Sequence, residues 1–283
     1  MRLVLLLAAL LGTTPAWADS RLKVVATFSI LGDLVREVGG ETVDIVTLVG
    51  PDGDAHTYQP KPTDARNLAG AKVLVSNGLG FEGWIDRLAD AAGFKGTRIV
   101  ASSGVAPDTD PHCWQDVACA RRYIANIVQG LAAADPANAA AYRGRAAQYD
   151  ARLAALDAWI RREIASVPEG RRQAITGHAS FRYFARAYDV RFSSPRGYST
   201  ESEPTARDVA SLIRQVREQK VKALFIENMS NPTLVAEIAR DSGAVVGPQL
   251  YSDALSKPDG PAPTYEAMMR HNVSALVAGM QKN

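Results

Sequence analysis

The sequence predicts an α/β protein of two lobes, each a mostly parallel sheet flanked by helices, joined by one long rigid helix. Three observations carry that prediction. Short apolar strand-like runs alternate with helical spacing through the first 134 residues; the same rhythm restarts at Gln173; and between them lies one uninterrupted amphipathic stripe. The 283 residues exceed what one core usually needs, and 47% hydrophobic with 22% charged is an ordinary globular composition. A formal charge of +2 gives no reason to expect nucleic acid or an anionic membrane as partner.

In chain order, Arg2 and the nine apolar residues Leu3 to Leu11 precede Ala16-Trp17-Ala18, a small-x-small cleavage pattern. Residues 1–18 therefore read as a secretory signal, because the run is too short to span a bilayer. No cysteine stands at the cleavage point, so the expectation is a protein exported to the periplasm without a lipid anchor. An N-terminal lobe is expected over 19–134, with strands at Leu22–Ala26, Val43–Val49, Val73–Ser76 and Arg98–Ala101 and a helix at Leu31–Val38. Asp135-Pro136 then offers an N-cap followed by proline at the first helical position. Tyr142, Ala146, Tyr149, Leu153, Leu156, Ile160 and Ile164 recur in steps of three and four, which predicts a helix from Pro136 to Ser166 ending before Pro168. The linking helix is thus placed within 135–167 and the C-terminal lobe at 168–283. That lobe should hold strands at Gln173–Thr176, Val190–Ser194, Ala223–Ile226 and Val245–Val246, and a helix at Ser180–Tyr188.

The chain has only four histidines, and three stand in strand-to-helix turns: His56, His112 and His178. Asp253 follows a late strand in the same way. Ligands of open α/β sheets bind beyond the carboxyl ends of the strands, so these four positions suit one cleft. The gaps between them are 56, 66 and 75 residues, which excludes a zinc finger or an H-E-x-x-H motif. By spacing alone, a metal site and ordinary surface or capping histidines both stay open.

The local sequences go further. Asp54 to Asp64 (DAHTYQPKPTD), Asn77 to Trp84 (NGLGFEGW), Asp110 to Asp116 (DPHCWQD), Gly177 to Ala185 (GHASFRYFA), Ser199 to Thr205 (STESEPT) and Tyr251 to Ser256 (YSDALS) occur in that order. Together they resemble the zinc/manganese-binding family of periplasmic solute-binding proteins that serve ABC importers, whose fold is two α/β lobes bridged by a long helix. The resemblance implies His56, His112, His178 and Asp253 as metal ligands. It also implies an inner-membrane ABC permease with its ATPase as partner, with a periplasmic metallochaperone as a further candidate, and a monomer. Ala55 stands where that family commonly has proline, Gln115 where it has leucine and Val117 where it has proline; none is a ligand position. The His- and acid-rich loop of many zinc members is missing, since residues 101–111 hold no histidine.

Three imidazoles and one carboxylate suit tetrahedral Zn(II), whereas manganese favours more carboxylate oxygens. In the family the resemblance points to, manganese members replace the third histidine with an acid, so His178 favours Zn(II) as cargo, with manganese as the alternative. A zinc hydrolase would need an open coordination position that Asp253 fills, so no enzyme activity is expected. Thiolates from Cys113 and Cys119 would overfill a tetrahedral site, and export favours a disulfide between them. Six residues apart on a continuous helix they would be about 9 Å apart, so the bond requires the helix to start near Asp116. His271 is read as a solvated or packing residue, and Trp84 and Trp114 as core. Glu201, Glu203 and Glu227 are read as loop charges or caps, with support of the site or contact with the permease as the sharper alternative.

Overall fold

A computed structural model describes residues 21–106, 110–230 and 232–283. The proposed signal segment lies outside the described residues. The first half builds β1 (Leu22–Phe28), α1 (Ser29–Gly39), β2 (Val43–Val49), α2 (Pro62–Ala69), β3 (Val73–Ser76), α3 (Ile85–Ala91), β4 (Thr97–Val100) and α4 (Val117–Ala134). After α5 (Ala139–Ala165) come β5 (Gln173–Ile175), α6 (Arg182–Tyr188), β6 (Arg191–Ser193), α7 (Ala206–Gln219), β7 (Ala223–Leu224), α8 (Pro232–Ser242), β8 (Val245–Val246) and α9 (Tyr265–Met280).

Each half holds one four-stranded parallel sheet, in the orders β2-β1-β3-β4 and β6-β5-β7-β8. The two orders are the same when each sheet is counted from its own first strand. Parallel strands must be covered on both faces, which is why β1 reads LKVVATF and is buried from Val24 to Phe28. His56 follows the second strand of its sheet and His178 the first of the other. His112 and Asp253 each come after the fourth strand. All four loops leave carboxyl ends of strands, so the fold brings them to one crevice.

The linking helix differs from expectation at its start. Pro136–Asn138 forms a separate 3₁₀ turn, and α5 begins at Ala139 and runs 27 residues, about 40 Å at 1.5 Å per residue. The reason lies in Asp135. Its carboxylate accepts from Asn138 Nδ2 (2.8 Å) and Tyr142 Oη (2.7 Å) rather than from the amides of a first α-turn. The stripe is as predicted: Tyr142, Tyr149, Leu153, Leu156, Ile160 and Ile164 are buried, and Ala146 packs at their margin. Removing a leucine or isoleucine of this kind from water contributes about 1.5–3 kcal/mol. α5 packs on α1, α4 and α9, so it is tied to both halves.

The seam between the halves is also polar. Asp33 on α1 caps α9 by accepting from the Tyr265 amide at 2.8 Å, and burial pushes its carboxyl up to about 6. Among the described residues no helix is long and apolar enough to cross a membrane.

Candidate metal site

The four predicted residues meet in the crevice, each offering one ligand atom, and these atoms all lie within 4.8 Å of one another. His112, His178 and Asp253 are fully buried, and His56 is 6% exposed. His112 Nε2 lies 3.3 Å from His56 Nε2 and 3.4 Å from His178 Nε2. Asp253 Oδ2 is 3.5 Å from His56 Nε2 and 3.1 Å from His178 Nε2, while Oδ1 is 3.4 Å from His112 Nε2. A tetrahedral ion with bonds of about 2.0–2.1 Å needs donor–donor edges of roughly 3.3–3.4 Å. Five of the six residue pairs approach to 3.1–3.5 Å, which brackets that value, and the whole set lies within 4.8 Å. Neither Asp253 oxygen has a hydrogen bond of normal geometry. A buried carboxylate with both oxygens unsatisfied and three lone-pair-bearing nitrogens around it is a cation site by its chemistry.

Each ligand turn is built from its own surroundings. Asp54 accepts from the His56 amide at 2.9 Å, and the His56 ring stands edge-on to Phe81 at 4.6 Å. Trp84 Nε1 donates to Ala55 O at 2.8 Å. In the second turn, Asp110 accepts from the His112 amide (2.9 Å) and pairs with His112 Nδ1 (2.7 Å). That pairing places the proton on Nδ1 and leaves the Nε2 lone pair for a metal. Asn77 Nδ2 donates to Pro111 O at 3.0 Å, and Gly78, at φ +84° in the turn after β3, gives its amide to buried Glu82. Cys113 and Cys119 are joined in a disulfide with Cα atoms 5.8 Å apart. α4 starts at Val117 with Asp116 as its N-cap, the late start that the bond requires.

In the third turn, Glu227 Oε1 accepts from the amides of Gly177 (2.7 Å) and His178 (3.0 Å), and Oε2 lies 2.8 Å from His178 Nδ1. A Cβ at Gly177 would stand 3.0 Å from that Oε1, so any larger residue there would crowd the carboxylate. Glu227 is therefore no loop charge: it is fully buried and holds His178 in register. This is the sharper of its two sequence readings, support of the site, although a partner 49 residues away could not be named from the sequence. Asp110, two residues before His112, was visible in the motif but went without a role. Trp84 and Trp114 are core residues as read, and each also braces a turn, since Trp114 Nε1 donates to Ser252 O at 2.8 Å.

Glu201 and Glu203 are exposed and away from the four ligand atoms, Glu203 being paired with Arg196. Neighbouring Thr200 does reach across, donating to Asp54 at 2.6 Å. His271 lies outside the site, with Nε2 2.8 Å from Gln249 O and its ring against Tyr251.

Electrostatics couple the group. Burial pushes the His112 imidazole down, but the charge on Asp253 and the bond to Asp110 outweigh it and hold it above its ordinary value. Burial also opposes charge on His178, yet Glu227 and Asp253 raise it well above. Burial would raise Asp253, and the facing His178 and His112 instead hold it well below the carboxylate range. Without metal the surroundings thus favour the charged forms of His112, His178 and Asp253.

Residues 24–279 match the sequence profile of the family described as zinc-uptake complex component A, periplasmic. The chain belongs to that family. It is the solute-binding component of a metal importer. Within the zinc-uptake component A family, it is 33% identical to the manganese-binding lipoprotein MntA of Bacillus subtilis, over 93% of this chain and 91% of that protein. It is 28% identical to the iron-binding protein YfeA of Yersinia pestis, over 96% and 90%. Among solved structures, the periplasmic zinc-binding protein TroA of Treponema pallidum superposes with a TM-score of 0.88 at 28% identity, covering 92% of this chain and 99% of that one. A manganese-bound periplasmic metal-binding protein of Candidatus Liberibacter asiaticus gives 0.83 at 27% identity, covering 92% and 100%. The relatives' names thus span zinc, manganese and iron.

Proposed function

We propose that the protein captures Zn²⁺ with His56, His112, His178 and Asp253 and delivers it, as a periplasmic monomer, to an ABC permease driven by its ATPase. The observation that carries this reading is the set of four buried donors, three imidazoles and one carboxylate, gathered within 4.8 Å of one another. The domain reading that goes with it is a lobe over 19–134, a strut within 135–167 and a lobe over 168–283, with the ion between the lobes. Zinc binding needs neutral imidazoles, so loading competes with protons at His112 and His178, whose hold on a proton is raised. No catalytic step belongs to this reading. The first eighteen residues serve export, and the intact mass of the periplasmic protein reads their removal.

Manganese is the second reading. It is favoured by the manganese-binding relative at 33% identity and by the two Asp253 oxygens, which both face the imidazoles and offer a fifth donor. Raw affinity at such a site favours zinc over manganese whichever is the cargo, so uptake separates the two. Cells lacking the protein should lose uptake of labelled zinc; loss of manganese uptake instead would reassign the cargo. Loss of binding in His178→Ala and Asp253→Ala tests the ligands themselves. A periplasmic metallochaperone is the candidate donor, testable by metal transfer between the two purified proteins.

A further inference from the structure

The turn that carries Asp253 belongs to the C-terminal half by sequence, yet it is also bonded to the first half. Ser252 O accepts two hydrogen bonds from the first half, from Trp114 Nε1 and Gln115 Nε2, each at 2.8 Å. Leu255 N donates to Ser29 Oγ at 2.9 Å, and Leu255 O accepts from the Asp52 amide at 3.0 Å. Tyr265 Oη closes the seam by donating to Trp114 O at 2.7 Å. The turn is also tied to its own half: Leu250 exchanges backbone bonds of 2.9 Å with Ile226 and Asn228, the Ser252 hydroxyl faces Glu227 and Met229, Asn272 pairs with both backbone groups of Tyr251, and Asn228 reaches Ala254 O at 3.3 Å.

The His178 turn is held differently. Its amides go to Ser193 O, Gly197 O and Glu227, all in the C-terminal half. The Asp253 turn is therefore held by both halves, whereas the backbone bonds of the His178 turn stay within its own.

Gln115 is the residue that stands out in this arrangement. It is fully buried, its Oε1 has no partner, and its Nε2 is spent on the carbonyl beside Asp253. A leucine at this position would bury a similar volume without stranding an amide oxygen. The disulfide on Cys113 fixes the same turn, so the donor is presented from a braced segment.

We propose that Gln115, together with Trp114, is a positioning residue that fastens the Asp253 turn to the N-terminal half. His56, His112 and Asp253 then move as one unit, and His178 is the ligand that leaves first when the halves part. Release would begin from a three-ligand ion with one face open toward the acceptor. The inference rests on the metal reading above.

The test compares wild-type protein with Gln115→Leu and Gln115→Met, which keep volume and lose the donor. In metal-free protein, backbone hydrogen exchange should be slower over 251–256 than over 175–181. Both variants should speed exchange over 251–256 while leaving 175–181 unchanged, a local effect that general destabilisation would not produce. In zinc-loaded protein, loss of Zn²⁺ to excess chelator should be about three- to tenfold faster in both variants, the worth of one neutral hydrogen bond. Equal exchange in the two segments of the wild type, or variants that alter neither exchange nor release, would overturn the proposal. A wild type that takes up no zinc would instead refute the cargo reading, and the exchange contrast would still decide this one.

Discussion

The two halves share a strand order but not a build. The first sheet has strands of seven, seven, four and four residues, and the second has three, three, two and two. The edge strand of the second, Val245–Val246, leaves both valines exposed. Behind the lighter sheet, Leu212, Val216, Leu224, Val235 and Ile238 form a small cluster of their own, whereas the main core runs from β1 through α5 into α9. The site inherits this inequality. His112 sits between a disulfide, a capped helix and Asn77, while the His178 turn is held by buried Glu227 and by the carbonyls of Ser193 and Gly197, with no covalent brace. A carrier has to hold its ion and then let it go. A firm half and a lighter half, each supplying ligands, meet both demands.

Substituting the ligands probes the comparison most strongly. Asp253→Ala should weaken zinc binding by more than about a hundredfold, above the range typical of outer partners, and His178→Ala by less than Asp253→Ala. Isothermal titration with a competing chelator reads both; the opposite ranking would place the weak point in the firm half. The outer carboxylates come next. Glu227→Gln and Asp110→Asn should each cost about 10- to 100-fold in affinity, with Glu227→Gln the larger because two amides and an imidazole depend on it.

Acidity gives a smaller and graded effect. His112 and His178 are held above the ordinary value of 6.5, so metal-free protein has their stabilisation in full below that pH and loses it as pH rises through the folded values. Asp253 is held below 3.8, so its contribution is present above that pH and is lost on further acidification. Metal-free protein should therefore be most stable between those two values, and added zinc should raise the melting temperature more as pH increases above 6.5. A calorimetric series with and without zinc measures this, and a zinc effect that shrinks with rising pH would contradict it. Smallest is the disulfide. Its short loop predicts that Cys113→Ser with Cys119→Ser costs about 2 kcal/mol of stability, seen as a lower denaturant midpoint, without removing a ligand.

The strands of the first half were legible because a fully covered parallel strand is a run of apolar residues, and Val43–Val49 and Val73–Ser76 fall where that pattern ends. Those of the second half are so short that loop bonds define them as much as composition does, and Val190–Ser194 shrank to Arg191–Ser193. The long helix was visible as a stripe, but its start was not, because Tyr142 and Asn138 take the carboxylate that was to cap it. Three scarce histidines in equivalent turns pointed to the site. Glu227 and Gln115 did not, since their partners are 49 and 137 residues away and only the closed fold brings them together.

The central claim is a four-ligand ion between the halves, and X-ray absorption at the zinc edge of the loaded protein tests it most directly. The account predicts three imidazole nitrogens and carboxylate oxygen at about 2.0–2.2 Å, with one imidazole lost in His178→Ala. A sulfur shell, an all-oxygen shell, or a spectrum unchanged by that substitution would contradict it.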